Sequence, residues 1–125
     1  MQNMNMGKTS WETFKTRYKQ ARELLDFSIR VIIEQISHGR YFVFEHPLSS
    51  RVWKLACMSS LMGADDIFEV SCDQCQYGLV LDGKPIMKPT RFLTNSEKVV
   101  EKLGKRCSRE HVHGAVLGGN SKRAQ

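Results

Sequence analysis

Along the first third of the chain, Trp11, Phe14, Tyr18, Ala21, Leu25, Ser28, Ile32 and Ile36 recur at three- and four-residue steps, and Leu24, Phe27 and Val31 widen the stripe. That period predicts an amphipathic helix over residues 10–38, with Thr9-Ser10-Trp11-Glu12 as a capping box and Gly39 as its stop. Lys15, Arg17, Lys19 and Arg22 fall on the remaining surface as a solvated face, and the polar, Met-rich residues 1–8 read as a frayed lead-in. Tyr41-Phe42-Val43-Phe44 is a short continuous run of aromatic and β-branched residues, the pattern of a strand buried on both faces. Such a strand belongs in the centre of a parallel sheet, where it would carry Glu45-His46-Pro47 to the carboxyl rim at which open α/β sheets hold ligands.

A second helix is expected over residues 49–62, ending at Gly63, with Trp53 as a core anchor and Cys57 as a buried small hydrophobe. Phe68, Val70 and Cys72 then alternate with Glu69, Ser71 and Asp73, the period of a strand. Leu79-Val80-Leu81, the Asp82-Gly83 pair and Lys84-Pro85-Ile86-Met87 predict a hairpin whose second arm Pro85 confines to an edge. A strand at 90–93 and a short helix at 95–103, closed by Gly104, complete the order. The alternation of helices and strands predicts an α/β fold with a small, mostly parallel sheet and a long N-terminal helix. Residues 1–113 would form a single domain, and residues 114–125, rich in Gly, Lys and Arg, a flexible basic tail.

Composition narrows the partners. The 125 residues carry a formal net charge of +6, which favours anionic partners, nucleic acid first among them. No apolar run reaches the roughly 20 residues of a membrane span, and the N-terminus lacks the apolar core of a secretory signal. Four cysteines without an export signal point to a reducing, intracellular compartment, cytoplasmic or nuclear, and to thiols or metal ligands rather than disulfides.

Cys72-x-x-Cys75 and Cys107-x-x-x-His111-x-His113 offer five soft or borderline ligands. Zinc takes four in a tetrahedron, and the alternating apolar face already claims Cys72, so Cys75, Cys107, His111 and His113 form the better quartet. The plainer alternative is a loose thiol pair with surface histidines near a basic tail.

The order of elements and their motifs resembles the second half of the catalytic domain of DNA (cytosine-5) methyltransferases. The residues that carry the resemblance are Phe44-Glu45-His46-Pro47, Gln74-Cys75-Gln76-Tyr77-Gly78 and Lys88-Pro89-Thr90-Arg91-Phe92. The chain is more closely similar to divergent methyltransferase-like segments of phage and mobile-element open reading frames, over roughly residues 2–113. The resemblance implies a partial Rossmann-like half-domain in which Glu45 holds a flipped cytosine, with Arg91 and Lys88 as the further base-binding candidates. The plainer reading of Glu45 and of Arg91 is an ion pair with a neighbour.

Departures from the family limit that expectation. No Gly-rich cofactor loop precedes the first helix, no cysteine sits in a Pro-Cys pair, and His46 stands where asparagine is usual. The chain is therefore expected to bind no S-adenosylmethionine and to be non-catalytic alone. It would be a DNA-handling part of such an enzyme, joined to a separate cofactor-binding half or to a second copy. Its alternatives are a small basic nucleic-acid-binding module, zinc-stapled or not, and a protein-interaction subunit.

Overall fold

The computed structural model describes residues 2–115, with side chains described from residue 10 onward. Its contacts divide the chain into two compact units, residues 1–40 and 41–125. The stretch 116–125 of the expected basic tail lies outside the described residues. Among those described, no helix is long and apolar enough to cross a membrane.

The first unit is one helix, α1 (Gln2–Ser37). It begins a full two turns before the expected capping box, because Gln, Met and Lys are good helix formers and nothing at Thr9 interrupts them. At its far end Gly39 N–H donates to Ile36 O (3.0 Å) and Arg40 N–H to Gln35 O (2.8 Å), the paired bonds that close a helix through a left-handed residue. Trp11, Phe14 and Tyr18 stack in a row along it, all three exposed.

The second unit mixes helix and sheet. Five strands, β1 (Val43–Pro47), β2 (Phe68–Asp73), β3 (Val80–Leu81), β4 (Lys84–Pro85) and β5 (Pro89–Thr94), alternate with α2 (Ala56–Met62) and α3 (Glu97–Leu103). The main sheet has the order β1-β5-β2, and both of its pairings are antiparallel. The mostly parallel, Rossmann-like sheet expected from the sequence is therefore not what forms. The reason lies in one strand. β1 and β2 do run the same way, joined by helical segments as a parallel crossover requires, but β5 fills the slot between them in the opposite direction, a split β-α-β arrangement.

This placement also moves the centre of the sheet. β5 is the inner strand, and Thr90, Leu93 and Thr94 on it are fully buried. β1 is an edge, so its aromatic run is not buried on both faces: Tyr41 is 72% exposed and Val43 52%, while Phe42 is buried. Glu45 lies in the middle of β1 rather than at a carboxyl rim. The expected helix at 49–62 divides into a 3₁₀ turn (Arg51–Lys54) and α2 because Leu55 between them is extended. Ser50 caps that turn, and Trp53 Nε1–H donates to Pro47 O at 2.8 Å, fastening the turn to the end of β1. The hairpin stands where the sequence put it: β3 and β4 pair through Asp82-Gly83, both with positive φ (52° and 77°), as a two-residue primed turn requires.

Three adjacent polar residues then tie the sheet edge to α3. Thr94 Oγ1–H donates to Phe42 O (2.7 Å), Asn95 Oδ1 accepts from Phe42 N–H (3.0 Å), and Ser96 caps α3 by accepting from Val99 N–H. α3 packs against β2 and β5.

A candidate metal centre at the turn after β2

Four side chains from two separate stretches meet beyond the end of β2. Cys75 lies in the 3₁₀ turn Gln74–Tyr77 that follows the strand, and Cys107, His111 and His113 come from the irregular segment after α3. Their ligand atoms all lie within 4.8 Å of one another. Cys107 Sγ is 3.4 Å from His111 Nε2 and 3.5 Å from His113 Nε2, and the two Nε2 atoms are 2.9 Å apart. A tetrahedral zinc with bonds of about 2.3 Å to sulfur and 2.05 Å to nitrogen separates sulfur from nitrogen by about 3.6 Å and two nitrogens by about 3.4 Å. The residue types fit that ion, which would part the imidazoles by about 0.5 Å and draw the widest ligand pair, now up to 4.8 Å, in by about 1 Å.

The brace around the cluster is made of groups that are not ligands. Asp73, 1% exposed, accepts from Cys107 N–H (2.7 Å) and Arg106 Nε–H (3.0 Å) through one oxygen, and its own N–H donates to Lys105 O (3.0 Å). Tyr77 Oη–H donates to Lys102 O (2.8 Å) and accepts from Lys105 N–H (3.1 Å). The far side is pinned by Gly114, whose N–H donates to Pro85 O at 2.9 Å. A Cβ there would stand 3.0 Å from Ile86 Cδ1 and 3.3 Å from Lys84 Cβ, so any larger residue would make the hairpin side chains give by a few tenths of an ångström. Gly114 thus belongs to the folded part rather than to a tail.

The surroundings of Cys75 keep its thiol neutral. Burial pushes the Cys75 thiol up, and Cys107 and Asp73 beside it push the same way against a hydrogen bond from Gln76. Without metal the thiol keeps its proton, which a bound ion would displace. Asp73 is ion-paired with Arg106 through Oδ2, while its Oδ1 is buried with no hydrogen-bond partner among the described residues. Arg109 N–H donates to Cys107 Sγ (3.2 Å), spreading part of the charge that a metal-bound thiolate carries.

The structure thus brings together the whole quartet Cys75, Cys107, His111 and His113. Cys72 stays out of it, 1% exposed within β2 opposite Thr90, with its thiol pushed up by burial and then by Asp73. The base-binding candidates are not brought together. Glu45 pairs with Phe92 and Arg91 with His46, and neighbours along a strand point to opposite faces, so Glu45 and Arg91 lie on opposite sides of the sheet. Lys88 sits before β5, its carbonyl accepting from Thr90 Oγ1–H (2.9 Å). Neither Glu45 nor Arg91 makes an ion pair among the described residues. Sequence reasoning missed Asp73 and Tyr77 as the brace. Their signal was position: an acid two residues before Cys75 and a phenol two after it, on the same turn. No protein-family profile, curated protein or solved structure matches the chain.

Proposed function

We propose that the second unit is a zinc-stapled basic module that binds nucleic acid without doing chemistry on it. The observation that carries the zinc reading is the convergence of two thiols and two imidazoles within 4.8 Å from segments more than 30 residues apart in sequence. Four protein ligands would leave no open position for substrate or activated water, which makes the ion structural. Its work would be to hold the segment after α3 onto the turn after β2. That segment presents Lys105, Arg106 and Arg109 on the exposed surface, beside Lys102 in the last turn of α3, and residues 41–125 carry twelve Lys and Arg against nine Asp and Glu. A short basic strip held rigid by an ion favours a polyanion as partner.

Metal analysis of untagged protein tests the staple: one zinc per chain is expected, falling away in Cys107→Ser. A folded, metal-free protein whose melting point ignores chelator would reject it. For the partner, affinity for nucleic acid should fall steeply with added salt. Undetectable binding at low salt would remove that half of the reading and leave the zinc half standing.

A further inference from the structure

On the sheet face that carries Arg91, three polar residues stand side by side across all three strands. His46 on β1 is paired with Arg91 on β5, and Arg91 with Ser71 on β2. Paired residues share a face, and strands lie about 4.8 Å apart, so the three side chains leave the sheet in one row. All three are half-buried. None makes a side-chain hydrogen bond or ion pair among the described residues, and Arg91 Nε is fully buried without an acceptor. What fixes the row is aromatic: the Arg91 guanidinium lies 5.1 Å from the Trp53 ring centroid, and His46 stacks on Phe44 (5.9 Å, 13°) and meets Trp53 edge-on.

A half-buried guanidinium without an anion is costly, because it has given up water and received only a ring face in return. The same holds in smaller measure for an imidazole and a hydroxyl beside it. Arg91 is held by stacking with its Nε buried, so its Nη groups are the donors a ligand would reach, and guanidinium donors match oxyanions in geometry. A ring nitrogen of His46 donates in either tautomer, and Ser71 adds a hydroxyl donor. Three donors from neighbouring positions on one face suit an anion with several peripheral oxygens. A carboxylate would satisfy the Arg91 fork alone and strand the outer two. The chain's net charge of +6 favours the same sign of ligand.

We propose that His46, Arg91 and Ser71 form a phosphate-binding site on this face of the sheet. The site contains no zinc ligand and stands whether or not the staple does. If the phosphate is that of a nucleic-acid backbone, it names a contact for the partner proposed above, and otherwise it takes a free nucleotide.

The chain has two tryptophans, so Trp11→Phe leaves Trp53 as the only reporter beside the site. The full-length protein would be titrated with inorganic phosphate, a 5′-mononucleotide, the corresponding nucleoside, acetate and a short single-stranded oligonucleotide. Trp53 fluorescence should respond to the phosphate-bearing probes and not to nucleoside or acetate. Arg91→Gln should weaken that response about tenfold or more, the loss expected for a charge-assisted hydrogen bond. Ser71→Ala, which trims one hydroxyl, should weaken it severalfold and serves if Arg91→Gln disturbs folding. A response to the mononucleotide assigns a free nucleotide, and a response to the oligonucleotide alone assigns the backbone. Affinities within twofold of the parent in both variants, an equal response to acetate, or a silent Trp53 would each overturn the site. Zinc content read on the same samples keeps a failure here separate from a failure of the staple.

Discussion

Two polar clusters in the second unit treat their polar groups in opposite ways. Around Cys75 the side chains turn toward one another: two sulfurs and two ring nitrogens converge, and Asp73 and Tyr77 hold the backbone that presents them. In the row His46–Arg91–Ser71 the groups stand parallel, one per strand, and none satisfies its neighbour. Convergence lets a single small ion link segments the fold has already brought near. Parallel display leaves donors that do not satisfy one another, and on the proposed reading a ligand from outside uses those that solvent still reaches. The first arrangement suits stability and the second suits binding, so perturbations of the two should move different observables.

Taking the ion away should have the largest effect. Zinc held at a thousand times its Kd adds about 4 kcal/mol to the folded state. For a domain of this size that is on the order of 20 °C in melting temperature, lost on chelation and restored by zinc but not by magnesium. Asp73→Ala follows. It leaves Cys107 N–H and the Arg106 guanidinium without their acceptor and should cost about 2–4 kcal/mol, with zinc affinity down about 10–100-fold. Asp73→Asn should fall between: its carbonyl oxygen can still accept from Cys107 N–H, but its amide would confront Arg106 as a second donor. Thermal unfolding at several zinc concentrations reads both. An Asp73→Ala protein with parental zinc affinity would show that the cluster needs no brace.

The two clusters were not equally legible in the sequence. Ligand type and spacing singled out the four residues that the structure brings together, because zinc chemistry admits few residue types and the alternating pattern of β2 already accounted for Cys72. The sequence still left a loose thiol pair open as the alternative. The strands at Phe68–Asp73 and Pro89–Thr94 and the Asp82-Gly83 hairpin were also readable, since each is specified by its own local period or turn. What local pattern does not encode is neighbour order. The aromatic run before Glu45 has the composition of an inner strand, yet it lies at the edge because β5 arrives later in the chain and takes the inner place. With that one insertion the sheet becomes antiparallel, Glu45 and Arg91 face opposite ways, and Arg91 acquires His46 and Ser71 as neighbours. A row assembled from three strands has no signature in any one of them.

Arg91→Met sharpens the contrast from the other side. A buried Nε without an acceptor is unfavourable, while the guanidinium gains a contact with the face of Trp53. Methionine reaches about as far as Nε and removes the unpaired charge at the cost of the contact with Trp53, so stability should stay within about 1 kcal/mol of the parent, with zinc content intact. Denaturant unfolding without phosphate measures this. A loss of more than about 2 kcal/mol would mean that Arg91 is a structural residue, satisfied by the fold itself.

The smallest effect belongs to Glu45→Gln, and it probes the geometry that separates the two faces. Glu45 is exposed on the edge strand, paired with Phe92, and no ion pair among the described residues depends on it. Neutralising it should change stability by less than about 0.5 kcal/mol. Zinc content should not move, and phosphate affinity should stay within about twofold, because exposed charges across a sheet interact weakly through water and salt. Titrating Trp53 fluorescence with a mononucleotide in Glu45→Gln and in Arg91→Gln, side by side, decides the point. If both substitutions cost tenfold, the carboxylate and the guanidinium address one ligand from a shared pocket. The opposite-face register of β1 and β5 would then not be the register of the binding-competent protein.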